Sequence, residues 1–209
     1  MSEKAGTIIE TPLEKNRQTY TNEVPASYAV FNSITNNVAV GDERNFVRIR
    51  EVVSSVPYAD EIEVVPGREY EVYIYFHNNA ASNMNQSGYG LATNTRIASA
   101  YPVKLHAGER GMICGIISWS YTKQGDKTVY AGTVRDEAYV TTKNDNVVLK
   151  YKPGTAVIHN AGEIDGTVLS SDLFTKSGTL IGFNKLEGVV PGCAEYSGNI
   201  TYTLIAEKD

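Results

Sequence analysis

Three histidines and two cysteines are the side chains best suited to catalysis or to binding a transition metal. His77, His106 and His159 stand far apart, and none has a second histidine or a cysteine two to four positions away. Zinc sites need close pairs of ligands on a shared element, so we expect no zinc site. Cys114 lacks a local nucleophile signature, and Gly-x-Ser-x-Gly and phosphate-binding glycine loops are absent. These patterns predict a chain that is not an enzyme, although a converging pair of acids, as in glycosidases, leaves no sequence signature to test.

Calcium is a better candidate than zinc, because it accepts scattered carboxylates and loop carbonyls. The candidate ligands lie in or near turns: Asp42, Glu43, Asp60, Asp136 and Asp165. The alternative is that these are solvated acids of ordinary turns. Otherwise the sequence predicts no cofactor.

Aromatic and amide side chains point to a second binding chemistry. Trp119 and Tyr121 lie on one face of the segment ISWSY, where aromatic rings can stack on sugars. Asn83 and Asn85 lie in the polar loop NNAASNMNQ and carry hydrogen-bonding amides. We therefore consider these four residues a candidate glycan contact; the alternative is that Trp119 fills the core between two sheets.

Cys114 and Cys193 are the only cysteines. A disulfide between them would close a loop of about 79 residues and contribute about 4–5 kcal/mol in the chain-entropy model. The alternative is two small buried residues that never meet.

Lysines beside strands allow an intramolecular isopeptide cross-link, which needs a buried lysine next to Asn or Asp. The candidate lysines are Lys104, Lys150 and Lys152, with Asn160, Asp136 and Glu137 as candidate partners. Lysines at alternate strand positions usually point to solvent, which is the competing interpretation.

Alternating strands are the elements that must position all of these side chains. In EYEVYIYF, the residues Tyr70, Val72, Ile74 and Phe76 share one face. NITYTLIAE alternates in the same way, and turn clusters separate several further strand-like segments. No window shows a sustained helical period. The pattern predicts an all-β fold with little helix, an immunoglobulin-like or jelly-roll-type β-sandwich.

The chain divides by composition near residue 27. Residues 1–27 are mostly polar and predict an N-terminal arm or an edge strand, while residues 28–209 predict the sandwich domain, with a subdivision allowed near 160–165. An arm of this kind would pair with a neighbouring subunit by strand addition.

Charge and hydrophobicity argue against two classes of partner. With a net charge of −5, the chain lacks the excess of basic residues that is typical of nucleic-acid-binding proteins. No apolar run is long enough to span a bilayer, so we expect no membrane insertion. The first residues also lack the apolar core of a signal peptide, so the chain is expected to stay inside the cell or to be the mature part of a secreted protein.

Residues 61–102 contain an ordered set of motifs: Pro66-Gly67, an alternating strand over 70–76, Asn78-Asn79, the segment ATNTRI at 92–97, and Pro102. This order resembles the immunoglobulin-like β-sandwich repeat of many bacterial cell-surface proteins. It covers about a fifth of the chain and departs from the repeat in the insert NMNQSGYG and in Arg96. Residues 188–207 look more loosely like the closing segment of such proteins. The resemblance implies a structural or adhesive role at the cell surface or outside the cell, with no catalytic residues.

We therefore expect a non-enzymatic structural surface module, such as a fibre or pilus-like subunit that self-associates through edge strands. The alternative is a carbohydrate-binding or adhesive module that uses surface aromatics to contact a glycan or another ligand on a host or cell surface.

Overall fold

The computed structural model describes residues 17–53 and 55–209, which form two β-sheets. Helical structure in these residues is limited to three short 3-10 turns, at Ser82–Met84, Ser171–Phe174 and Ala194–Tyr196. No helix among them is long and apolar enough to cross a bilayer. The predicted all-β sandwich with little helix is confirmed.

Twelve strands build the two sheets in the described part of the chain. In chain order they are β1 (Val47–Glu51), β2 (Glu61–Glu63), β3 (Glu69–Phe76), β4 (Thr93–Ala100), β5 (Lys104–Leu105), β6 (Arg110–Tyr121), β7 (Tyr130–Thr141), β8 (Val147–Tyr151), β9 (Val157–Asn160), β10 (Thr167–Val168), β11 (Thr179–Leu180) and β12 (Gly198–Lys208).

The first sheet has seven strands and is organised around β12. Its main order is β1-β3-β12-β8-β5, and β9 pairs with the first part of β12 while carrying β10 on its other side. The second sheet has the order β11-β4-β6-β7-β2. Every strand pair is antiparallel except β2 with β7. The last strand of the chain therefore lies in the middle of the first sheet and holds segments from both halves of the sequence.

Side-chain alternation explains why β3 and β12 face the core as they do. Tyr70, Val72 and Ile74 of β3 are buried, whereas Glu69 and Glu71 point outward and are only partly covered. On β12 the buried set is Ile200, Tyr202, Leu204 and Ala206. Both predicted inward faces are confirmed, because an apolar residue at every second position places one face of a strand in the core.

The two sheets meet across one apolar core. Ser99 of β4 and Tyr202 of β12 share a hydrogen bond of 2.9 Å between their hydroxyl groups, which joins the sheets inside this core. Gly115 of β6 lies so close to β1 that an added Cβ would approach Cγ2 of Val47 to 2.6 Å. The glycine therefore allows the close contact between the sheets at this point.

The described part of the predicted arm contacts its own domain. Tyr20 forms a bridge with Ile34, and Ala26 forms one with Ala80 just beyond β3. Residues 1–16 of that predicted arm lie outside the described residues. At the other proposed boundary, Ile158 and Ile164 belong to the same buried cluster as the β3 and β12 residues.

Candidate functional site

The sequence His77-Asn78-Asn79 follows the last residue of β3 and is buried. Phe76 ends the strand with an inward side chain, and the three polar residues after it have at most 2% of their surface exposed. Buried polar groups must find hydrogen-bond partners inside the protein. This segment is therefore where polar interactions of the fold concentrate.

Glu43 is the charged centre of this polar network, and its side chain is fully buried. Its carboxylate accepts hydrogen bonds from Nδ1 of His77 at 2.7 Å, Nδ2 of Asn37 at 2.6 Å and Nδ2 of Asn79 at 2.7 Å. A carboxylate oxygen only accepts, so His77 carries its hydrogen on Nδ1. Three donors compensate the loss of water around a charge that would otherwise be costly to bury.

A glutamate that orients an imidazole through Nδ1 is also the arrangement of a general base, which would leave Nε2 free to take a proton. In this structure Nε2 of His77 is buried and has no hydrogen-bond partner among the described residues. A shallow surface groove is lined by Gln18, Tyr20, Pro25 and Thr35, and it includes no residue of the network. The geometry orients the ring but does not expose its reactive nitrogen.

The asparagines tie separate chain segments to the end of β3. Nδ2 of Asn78 donates to the carbonyl oxygens of Gly90 at 2.8 Å and Val190 at 2.9 Å. Oδ1 of Asn79 accepts from the backbone N–H of Ser33 at 2.6 Å. Three loops far apart in sequence are therefore held together by the two adjacent amides.

Asn32 completes the network from the opposite segment. Its backbone has φ of 46°, a left-handed conformation that asparagine tolerates better than most residues. Its amide donates to the carbonyl of Tyr75 at 2.9 Å and accepts from the N–H of His77 at 2.8 Å. The Asn32 side chain thus binds the backbone groups of Tyr75 and His77, just beyond the point where the pairing of β3 with β1 ends.

Trp119 is buried, so its predicted role in a glycan contact is wrong. Only 5% of its surface is exposed, and its indole N–H donates to the carbonyl of Ala29 at 3.0 Å. The ring packs on Phe31 with centroids 5.0 Å apart. The alternative interpretation, that Trp119 belongs to the core, is the correct one.

The other three predicted glycan residues have different surroundings. Tyr121 is half-buried between Tyr28 and Tyr130, with centroid distances of 5.2 and 5.4 Å. Asn83 is exposed. Both groups of the Asn85 amide are used by the backbone of Gly192, at 2.9 and 2.8 Å. Asn85 therefore holds two loops together rather than offering its amide to a ligand.

The acids considered as calcium ligands already have partners within the protein. Asp42 pairs with Arg44, Asp60 accepts a hydrogen bond from Asn45, and Asp165 lies 3.4 Å from His159. Glu43 is the centre of the network described above, and Asp136 accepts two backbone N–H groups. In residues 17–53 and 55–209, no three ligands of the His, Cys, Asp and Glu types come together as a metal site.

Asp136 is a partly buried carboxyl group of β7 that binds the backbone of another strand. Its Oδ2 accepts from the backbone N–H groups of Phe46 at 2.6 Å and Val47 at 2.7 Å, where β1 begins. Burial raises its pKa to about 6, although the bonds to the backbone act in the opposite direction. These two hydrogen bonds connect β1, the edge strand of the first sheet, to β7 of the second sheet.

Cys114 and Cys193 are both free, so the structure does not contain the predicted disulfide. Cys114 alternates with the inward Ile113 and Gly115 and lies on the other face of β6, where Nε of Arg135 is 3.1 Å from its sulfur. The backbone N–H of Cys193 donates to the carbonyl oxygen of Asn78 at 3.1 Å. Cys114 therefore lies on β6, whereas Cys193 lies in the loop that precedes β12.

The lysines considered for an isopeptide bond form ion pairs at the surface instead. Lys104 pairs with Asp209, Lys150 with Glu207 and Lys152 with Glu69. All three lysine side chains are about half exposed, which fits the interpretation that strand lysines point to solvent.

Sequence patterns do not reveal several residues of these sites. Glu43 is predicted only as a calcium ligand, and no spacing rule joins Glu43, Asn32 or Asn37 to His77 across more than 30 residues. Tyr130 can be inferred from the sequence, because the turn between β6 and β7 predicts a hairpin in which Tyr130 faces Tyr121.

No known family model matches the chain, and no curated protein or solved structure is significantly similar to it. The resemblance of residues 61–102 to bacterial surface repeats therefore stays a prediction.

Proposed function

We propose that this chain is a non-enzymatic structural module that works at the cell surface or outside the cell. The observation that carries the proposal is the buried Glu43–His77–Asn79 network. The Glu43 carboxylate binds Nδ1 of His77 and the Asn79 amide, and Nε2 of His77, the atom that would take a proton in catalysis, is enclosed in the protein. A group committed to holding loops in place has a structural role, and rigid loops on a sandwich are suited to making contacts.

The edges of the sheets bear on how such a module assembles. On the outer side of β1, Ile49 exchanges two backbone hydrogen bonds with Ala59, and the N–H of Val47 binds Asp136. The other edge strands, β2, β5, β10 and β11, have only two or three residues each. Short and occupied edges resist strand addition. Self-association through edge strands would therefore use β7, of which β2 pairs only with Tyr139–Thr141.

Glu43→Ala tests whether the network is structural. The substitution leaves the buried donors of His77 and Asn79 without an acceptor and removes one from the partly buried Asn37. The unfolding free energy should therefore fall by about 3 kcal/mol or more. Urea unfolding followed by the fluorescence of Trp119, the single tryptophan, measures this change.

Glu187→Ala is the matched control, because Glu187 is exposed and its loss should change stability by no more than about 0.5 kcal/mol. Replacing a catalytic residue often increases the unfolding free energy, because active sites are built at a cost in stability. A Glu43→Ala protein as stable as the natural one, or more stable, would contradict the proposal.

A further inference from the structure

Three tyrosine rings form a row at the turn end of the β6–β7 hairpin, beside the loop 122–129. The centroids of Tyr28 and Tyr121 are 5.2 Å apart with planes at 19°, and those of Tyr121 and Tyr130 are 5.4 Å apart with planes at 25°. All three side chains are half-buried. We call these three residues the tyrosine cage.

The fold holds each ring of the tyrosine cage in place. Tyr121 and Tyr130 are directly opposite each other in the β6–β7 pairing. The segment carrying Tyr28 is fixed by the bond from the Trp119 indole to Ala29, and the Tyr28 hydroxyl lies 3.2 Å from that of Tyr20. The strand pairing and the contacts of the segment 28–29 therefore preorganise the rings.

Lys123 places its ammonium group against all three rings. Its Nζ is 4.7 Å from the centroid of Tyr28, 5.1 Å from that of Tyr130 and 5.9 Å from that of Tyr121. These distances are within the range of cation–π attraction. Lys123 forms no ion pair with any residue in the described ranges, so the rings are its cation-binding partners there.

One charged group at the rim adds to the attraction for a cation. The hydroxyl of Tyr130 donates to the carboxylate of Asp126, and this bond lowers the Asp126 pKa to about 2. Asp126 therefore stays negatively charged at neutral pH. A negative charge beside the ring edges favours cations over neutral ligands.

We propose that the tyrosine cage is a binding site for quaternary or alkylated ammonium groups, and that Lys123 is a built-in occupant which such a ligand displaces. A lysine ammonium is a strongly hydrated point charge on a flexible stem, so it returns to water readily. A methylated ammonium is more weakly hydrated and fits the aromatic faces better. Lys123 lies in the loop 122–129, much of which is exposed, so it can leave without disturbing the strands.

Removing the occupant is the direct test, and it does not depend on the structural role proposed above. Tetramethylammonium chloride is titrated into natural protein and into Lys123→Ala, and binding is followed by shifts of the tyrosine ring signals in NMR. We expect the variant to bind about tenfold more tightly, because the competing lysine no longer fills the cage. Choline in a second titration should show the same preference, since it carries the same trimethylammonium group.

Two variants keep the result specific. Lys127→Ala removes the same charge from an exposed position in the same loop and should bind as weakly as the natural protein. Tyr130→Leu added to Lys123→Ala should abolish the gain, while unchanged Trp119 emission shows that the core is intact. The proposal is overturned if Lys123→Ala binds no more tightly than Lys127→Ala, or if the double variant keeps the gain.

Discussion

Asp136 shows how one side chain can join two sheets. A single carboxylate oxygen accepts two backbone N–H groups at the start of β1, although the residue belongs to β7. Burial raises its pKa to about 6, so the charged form is held at a cost near neutral pH. The hydrogen bonds stabilise the fold, and the charge that accompanies them works against it.

This conflict predicts a pH-dependent stability that Asp136→Asn should remove. The pKa of Asp136 in the folded protein lies above the ordinary value of about 3.9. The contribution of Asp136 to the unfolding free energy is therefore greatest below pH 4 and is lost as pH rises through about 6. The amide keeps an oxygen for both N–H groups. From pH 4 to pH 7, the variant should gain about 2–3 kcal/mol relative to the natural protein.

Urea unfolding at pH 4, 5, 6 and 7 measures this difference. Glu163→Gln is the control, because it removes one negative charge from an exposed site. If the profiles of Asp136→Asn and the natural protein run parallel between pH 4 and pH 7, burial does not penalise the Asp136 charge.

At the scale of elements, the β6–β7 hairpin organises both the core and the aromatic surface. Trp119 of β6 lies opposite Gly132 of β7, and a Cβ at Gly132 would come within 2.3 Å of the indole ring. The missing side chain lets the indole lie against β7 and reach the carbonyl of Ala29. The pair therefore fixes the segment that places Tyr28 beside Tyr121.

Gly132→Ala should disturb this arrangement. The added methyl group has to displace the indole, and overpacking of this kind costs about 1–3 kcal/mol of unfolding free energy. Because Trp119 is the single tryptophan, its emission should shift to the red as the ring becomes more exposed. Ala131→Ser, at the exposed neighbouring position, should change neither property; an unshifted emission in Gly132→Ala would show that the indole does not need this space.

For the whole molecule, stability rests on the apolar core and the buried polar network rather than on a covalent cross-link. Residues from both sheets share one buried cluster, and Ser99 bonds Tyr202 inside it. The two cysteines lie on different elements and are free. A reducing environment should therefore leave the fold unchanged.

Thermal unfolding with and without reductant tests this independence. We expect melting temperatures within about 1 °C of each other, whereas a bridge over this loop would contribute about 4–5 kcal/mol and shift the midpoint by roughly 10 °C. Without reductant, a thiol reagent should titrate two groups after unfolding. In the native protein Cys193 should react first, because Cys114 is buried and burial raises its pKa. Finding no reactive thiol in the unfolded, unreduced chain would contradict the structure.

The strands could be predicted from the sequence because alternation is a local property. An apolar residue at every second position of β3 and β12 predicts which face is buried, and the structure confirms both faces. The candidate sites could be predicted only in part. The segment ISWSY predicts Trp119 and Tyr121 on one surface, but Trp119 is covered by a segment 90 residues away in the chain, which no local pattern reveals.

The sequence by itself determined an all-β chain with two-faced strands and a polar His-Asn-Asn segment after β3. Only the tertiary structure decided that Glu43 meets His77, that Asp136 binds the start of β1, and that Lys123 lies against three tyrosines. Local patterning depends on neighbours a few positions apart, whereas these contacts depend on which strands pair and in which register. Two residues distant in sequence become partners only after the sheets have formed.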